Sequence, residues 1–217
     1  ATPEAYAWRK RRLRSTSWTY ASSSASRRRR DQPSSSPIRT AQDLKRLRPV
    51  EPEEGLGYML EAVRLARREL DGRVPLIGFA GAPWTLASYM IEGGGTKTFA
   101  VAKRMLAEHP TMAHELLDRL AHAVGQFLVA QVKAGAQVVQ LFDSWAGALA
   151  PADFRAFALP YLARAARTAK SAGVPVIVFA PGAGWALEEL AEATGADVVG
   201  VDWQVEASDI SHHMLDQ

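Results

Sequence analysis

The run Leu141-Phe142-Asp143-Ser144-Trp145-Ala146-Gly147 holds the residue types best suited to chemistry in this chain. A carboxyl group accepts hydrogen bonds or exchanges a proton, and a serine hydroxyl both donates and accepts. The segment just before it, 137–140, reads as the start of a buried strand, and Pro151 opens a helix just after it. Asp143 and Ser144 therefore fall at the carboxyl end of a strand, beneath a turning loop. Parallel α/β proteins handle ligands at that position. An apolar strand needs no Asp-Ser-Trp cluster for packing, so the cluster asks for another reason. Asp143 has two readings: a second catalytic carboxylate, or a strand-end residue that braces the loop. The bracing role is preferred. Taken alone, Ser144 is a loop serine and Tyr89 a core tyrosine on a short helix.

The elements that must position these residues follow from periodicity. Thr40 is placed as the N-cap of a helix beginning at Ala41. Pro49 and Pro52 break the chain. Residues 53–70 read as one amphipathic helix with Leu56, Met59, Leu60, Val63, Ala66 and Leu70 on a single face, ended by Asp71-Gly72. Further helices are expected over 84–92, 98–108, 110–134, 151–172 and 184–193. Gly93-Gly94-Gly95 stops the first, and Pro110 and Gly135 bracket the third. Four uniformly apolar strands are expected over 74–79, 138–142, 174–179 and 198–201. Such alternation means a parallel sheet with helices on its faces. A doubly wound sheet and a (β/α) barrel both fit, and periodicity alone does not choose between them.

Composition divides the chain. Its net charge is +3, yet residues 1–40 carry ten Lys/Arg against two Asp/Glu. The remainder carries sixteen against twenty-one, a balance of −5. Runs such as Arg9-Lys10-Arg11-Arg12, Arg27 to Arg30 and Ser34-Ser35-Ser36 cannot bury enough apolar surface to offset their ordering entropy, so residues 1–36 are expected to be disordered. A solvated tail, a phosphate-binding arm and an organellar transit peptide compete as its role. The sequence has no cysteine, which excludes disulfides, Cys-ligated zinc, iron–sulfur clusters and thiolate nucleophiles within these 217 residues. No apolar run reaches the length of a membrane span. Neither a membrane nor a nucleic acid is expected as a partner.

Two other motifs are weighed and set aside. Glu92 to Lys97 looks like a phosphate loop, but a helix precedes it and the spacing fails. His114 to Asp118 lacks the second histidine of a zinc-protease helix and reads as a solvated face. His109 and His122 read as surface residues, and Trp185 and Trp203 as packing residues.

Several segments together resemble the uroporphyrinogen decarboxylase family. They are Pro75 to Leu86 (Pro-Leu-Ile-Gly-Phe-Ala-Gly-Ala-Pro-Trp-Thr-Leu) followed by Tyr89 and Glu92-Gly93-Gly94-Gly95, then Leu141 to Gly147, then Gly200-Val201-Asp202-Trp203. Pro37-Ile38-Arg39-Thr40 is similar to the segment leading into this region. The resemblance runs from about residue 37 to about residue 205, which sets the expected organisation: 1–36 basic segment, 37–205 partial barrel, 206–217 unmatched tail.

The resemblance implies a (β/α)8 TIM-type barrel, here about four of eight strands. It implies decarboxylation of four acetate side chains of uroporphyrinogen to methyls, giving coproporphyrinogen in haem and chlorophyll synthesis. It further implies no metal or organic cofactor, a homodimer, a cytoplasmic setting and a cleft at the carboxyl ends of the strands. Tyr89 matches the family's active-site tyrosine and Ser144 its substrate-contacting serine. Gly78, Ala80 and Gly81 line up with a strand end that would let a planar macrocycle approach, a role inferred from their size. The family's Arg-Gln-Ala-Gly-Arg motif, the aspartate of its Phe-Ser-Asp-type segment and its late histidine have no counterpart here. His212 and His213 are not carried into that last role. The abrupt compositional change at both ends predicts a frameshift, mis-assigned exon or truncated gene over 1–36 and about 206–217. The rival functions are a cobalamin-linked methyltransferase sharing this barrel and a non-catalytic binding protein acting through the basic arm.

Overall fold

The computed structural model describes residues 37–49, 51–94, 96 and 98–206. The basic segment 1–36 and the tail from 207 onward, with His212 and His213, lie outside the described residues.

The first elements are helical. Thr40 caps α1 (Ala41–Lys45) in a reciprocal capping box with Asp43. The single helix expected over 53–70 is two: α2 (Pro52–Gly55) and α3 (Gly57–Leu70), broken at Leu56 with φ −124° and ψ 17°. Gly55 and Gly57 flank the break, and glycine is a poor helix former because of its backbone entropy. Leu60 is buried and Leu56, Val63, Ala66 and Leu70 are half-buried, but Met59 is exposed rather than on the buried face.

Strands and helices then alternate. β1 (Ile77–Gly81) is followed by α4 (Pro83–Glu92), α5 (Ala100–Glu108) and α6 (Pro110–Lys133), then β2 (Val138–Phe142). Next come α7 (Pro151–Asp153), a π turn (Phe154–Ala158) and α8 (Leu159–Lys170), then β3 (Val176–Phe179), α9 (Leu187–Thr194) and β4 (Val198–Gly200). The π turn interrupts the uninterrupted helix expected over 151–172. Pro160 supplies the reason, because it has no N–H for the i−4 carbonyl and its ring crowds that carbonyl.

The four strands are all parallel and lie in chain order, β1-β2-β3-β4. That order settles the choice that periodicity left open. A doubly wound sheet reverses direction partway, whereas a barrel keeps sequential neighbours. The chain is a partial (β/α)8 barrel.

Register gives each sheet face its residues. Gly78, Ala80, Val139, Leu141, Val176 and Val178 are buried toward the helices, with Leu116, Leu128 and Leu162 among the side chains that meet this core. Ile77, Phe79, Phe142, Ile177, Phe179 and Val198 face the opposite way. There Phe79, Phe142 and Phe179 form an edge-to-face row with centroids 5.9 and 6.2 Å apart.

The edge of β1 away from β2 has no strand partner among the described residues. Gln131 of α6 closes it at one point: its Nε2 donates to the Phe79 carbonyl at 2.9 Å and its Oε1 accepts the Phe79 N–H at 3.1 Å. Gly78 makes room for this, since a β-carbon there would lie 2.8 Å from Gln131 Oε1.

Candidate active site

The carboxyl ends of the strands are joined to one another by backbone. Ala82 N–H donates to the Phe142 carbonyl at 2.8 Å, Asp143 N–H to the Phe179 carbonyl at 2.8 Å, and Gly147 N–H to the Pro181 carbonyl at 3.2 Å. Gly147 and Gly182 approach so closely that a β-carbon on either would sit within 3 Å of the other's α-carbon. Asp202, beyond β4, accepts the Gly182 N–H at 2.6 Å and the Gln204 N–H at 2.9 Å. The loops after β2, β3 and β4 thus form one rim, which the sequence motifs mark only as separate pieces.

Asp143 and Ser144, though adjacent, go to opposite surroundings. Asp143 extends the burial alternation of Val139 and Leu141 and is fully buried, whereas Ser144 is exposed. Asp143 Oδ1 accepts the Thr85 hydroxyl at 2.7 Å, and Oδ2 is buried without a hydrogen-bond partner. Burial pushes this carboxyl up to about 6, against the lowering effect of the Thr85 bond. A second carboxylate working directly on ligand is hard to reconcile with a side chain wholly shut off from the surface.

Trp145 is the hub of the rim. Its backbone carbonyl accepts Trp84 Nε1–H at 3.0 Å, and its N–H approaches Thr85 Oγ1 at 3.4 Å. Its ring lies 4.8 Å from Phe99 and meets Tyr89 edge-on at 6.2 Å, with 79° between planes. Phe99 holds a left-handed φ of 51°, which costs roughly 1–2 kcal/mol for a side chain of this kind. Its fully buried ring, packed on Trp145, offsets that strain.

Tyr89 is 39% exposed, four residues beyond Thr85 on α4, so both lie on the helix face turned to this loop. The structure therefore brings Tyr89 to the residue next to Ser144. Gly81 lies half-buried beside Leu86 at the end of β1, but Gly78 and Ala80 are buried and do not face the open side of the sheet. They alternate to the helix side, and the space left by Gly78 is used by Gln131. The macrocycle-clearing role expected of those two is corrected on that ground.

Other expectations are also revised. His114 is not on a solvated face: it is half-buried, stacks on Phe157 with centroids 4.5 Å apart, and shares a 2.7 Å hydrogen bond with Tyr161. Asp118 pairs with Arg164 across α6 and α8 instead of joining His114. Trp185 packs edge-on to Phe154 and carries Arg155 over its ring at 5.1 Å, while Trp203 is 87% exposed rather than packed. His109 and His122 are exposed as expected. Gly93 ends α4 in a left-handed cap, so the Glu92-Gly93 segment is a helix stop. Among the described residues no three His, Cys, Asp or Glu side chains come together as metal ligands, and no helix is long and apolar enough to cross a membrane.

Thr85 and Trp84 were not singled out from sequence, and Trp145 only as part of the Asp-Ser-Trp cluster. The available signal was spacing: Thr85 stands one helical turn before Tyr89.

A parallel barrel segment with polar side chains on the carboxyl rim of its strands is the architecture of barrel enzymes, which bind ligands at that end. The chain belongs to the uroporphyrinogen decarboxylase family: the family model described as "Uroporphyrinogen decarboxylase (URO-D)" matches residues 28–217. A uroporphyrinogen decarboxylase from Nitrosococcus oceani is 52% identical over 174 residues, covering 78% of this chain and 48% of the relative. One from Chlorobaculum parvum is 45% identical over 182 residues, covering 83% of this chain and 52% of the relative. The chain spans about half the length of the relatives it matches. Among solved structures, a methyltransferase from Methanosarcina mazei superposes with a TM-score of 0.52 at 18% identity, covering 76% of this chain and 54% of that one. At that identity the likeness speaks for the shared fold alone.

Proposed function

We propose that this chain supplies the Tyr89–Ser144 side of a uroporphyrinogen decarboxylase site. The observation that carries the reading is the packing of Tyr89 on Trp145, next to Ser144, at the carboxyl ends of β1 and β2. Two hydroxyls on one rim can hydrogen-bond the carboxylates or pyrrole nitrogens of a tetrapyrrole. The open face below them, with Phe142 and Phe179, offers an apolar floor to a planar ring.

The chemistry sets what else is needed. An acetate on a pyrrole loses CO2 most easily once the ring is protonated, because the ring then takes up the electron pair of the breaking C–C bond. The hydroxyls orient the acetate but do not deliver that proton or balance a substrate bearing many carboxylates. The portion from residue 41 onward has a net charge of −5 and lacks the family's arginine motif. A homodimer and a cytoplasmic setting are proposed alongside the activity, by analogy with the family.

The test is anaerobic turnover of uroporphyrinogen by the purified 217-residue chain, paired with binding of the stable analogue uroporphyrin I. Binding that weakens in both Tyr89→Phe and Ser144→Ala, with little or no turnover, is the expected result. Binding indifferent to both substitutions rejects the site, and turnover comparable to a complete enzyme rejects the need for the missing arginine clamp.

A further inference from the structure

We propose that Asp143 is a positioning residue: through Thr85 it holds the Ser144–Trp145 peptide against α4 and so sets the Trp145 ring beside Tyr89. The geometry has four links. Asp143 N–H is fixed to the Phe179 carbonyl, which anchors the residue to the sheet. Its Oδ1 accepts the Thr85 hydroxyl at 2.7 Å, 58 residues away in sequence. Thr85 Oγ1 lies 3.4 Å from the Trp145 N–H, and Trp84 Nε1–H donates to the carbonyl of the same residue at 3.0 Å. One turn along α4, the Tyr89 ring meets the Trp145 ring edge-on.

The arrangement is a relay of position, not of charge. Asp143 and Thr85 are both buried, so neither reaches a ligand on the open face. A hydroxyl that donates to Asp143 has its oxygen lone pairs left for the Trp145 N–H, so one threonine joins helix and loop. Removing either end leaves the other as a buried polar group lacking its partner, and the loop gains an alternative placement. Asparagine keeps an acceptor oxygen for Thr85, and serine keeps the donor hydroxyl, so both conservative variants preserve the relay.

The ligand-binding consequence rests on the reading of Tyr89 and Ser144 given above; the placement of Trp145 does not. The experiment separates them. The full chain is labelled with 5-fluorotryptophan, the Trp145 resonance is assigned with Trp145→Phe, and Trp185 and Trp203 serve as references. Expected in the ligand-free protein is a displaced or broadened Trp145 line in Asp143→Ala and in Thr85→Val, with the line retained in Asp143→Asn and Thr85→Ser. Uroporphyrin I binding is expected to weaken about tenfold in the first pair, as for loss of a buried hydrogen-bond partner, and to stay near the parent value in the second. If Asp143→Ala does not fold, Thr85→Val decides the matter alone. An unmoved Trp145 line in Thr85→Val overturns the proposal, as does equal weakening of binding across all four variants. A parent chain that binds no uroporphyrin I overturns the tetrapyrrole reading, while the fluorine spectra still decide the positioning role.

Discussion

The two faces of the sheet are built from the same kinds of residue and meet different surroundings. On the helix side Val139, Leu141, Val176 and Val178 are wholly buried. On the other side Ile77, Phe79 and Val198 are 46, 62 and 51% exposed. Strands that are apolar on both faces belong to parallel sheets covered on both. Among the described residues, only one cover is present. The faces therefore carry different burdens: the helix side holds the stability and the open side is free to take a ligand or another apolar surface.

The sharpest way to break that contrast is to truncate matched residues across it. Leu141→Ala removes a fully buried side chain and should cost about 2–5 kcal/mol in urea unfolding. An equal loss from Phe79→Ala would dissolve the distinction.

Asp143 supplies the next largest effect, because it puts a carboxyl where the helix-side alternation calls for an apolar group. Its folded-state value of about 6 lies above the ordinary 3.8. Between those values the folded chain holds more protons than the unfolded one, so stability falls as pH rises from about 4 to about 6 and then levels. A shift of this size corresponds to roughly 3 kcal/mol. Asp143→Asn should lack this loss, so parent and variant unfolding curves should diverge across that window.

Gln131→Ala sharpens the comparison at the sheet's border. It strips the N–H and C=O of Phe79 of their partners and should cost about 1–3 kcal/mol, with faster hydrogen exchange at the Phe79 amide. The smallest effect is expected on the open face itself. Phe79→Ser should change stability by only about 0.5 kcal/mol, as exposed substitutions do, while reducing self-association in sedimentation velocity.

Legibility in the sequence followed locality. The strand Val138–Phe142 coincides with its expected range, and the Thr40 cap and the long helix opened by Pro110 stand where expected. Each depends on neighbours within a few residues. The break at Leu56 and the π turn near Pro160 were missed, although their causes are local, because the apolar spacing runs unbroken across both. His114 was misread because its partners, Phe157 and Tyr161, lie more than forty residues away on another helix. In the candidate site, the positions of Asp143 and Ser144 at a strand end were plain. Their division into buried and exposed was not, since it depends on Thr85 closing over one of them.

The sequence by itself determined the alternation of apolar strands and helices, the turn chemistry between them and the motifs that mark the family. Those are properties of period, propensity and residue type within a short window. Tertiary structure alone decided the sequential strand order, the contact between Gly147 and Gly182, and the burial of Asp143 beneath Ser144. Each arises when segments tens of residues apart come together, and hydrogen bonding and exclusion of water act on whatever side chains then face one another.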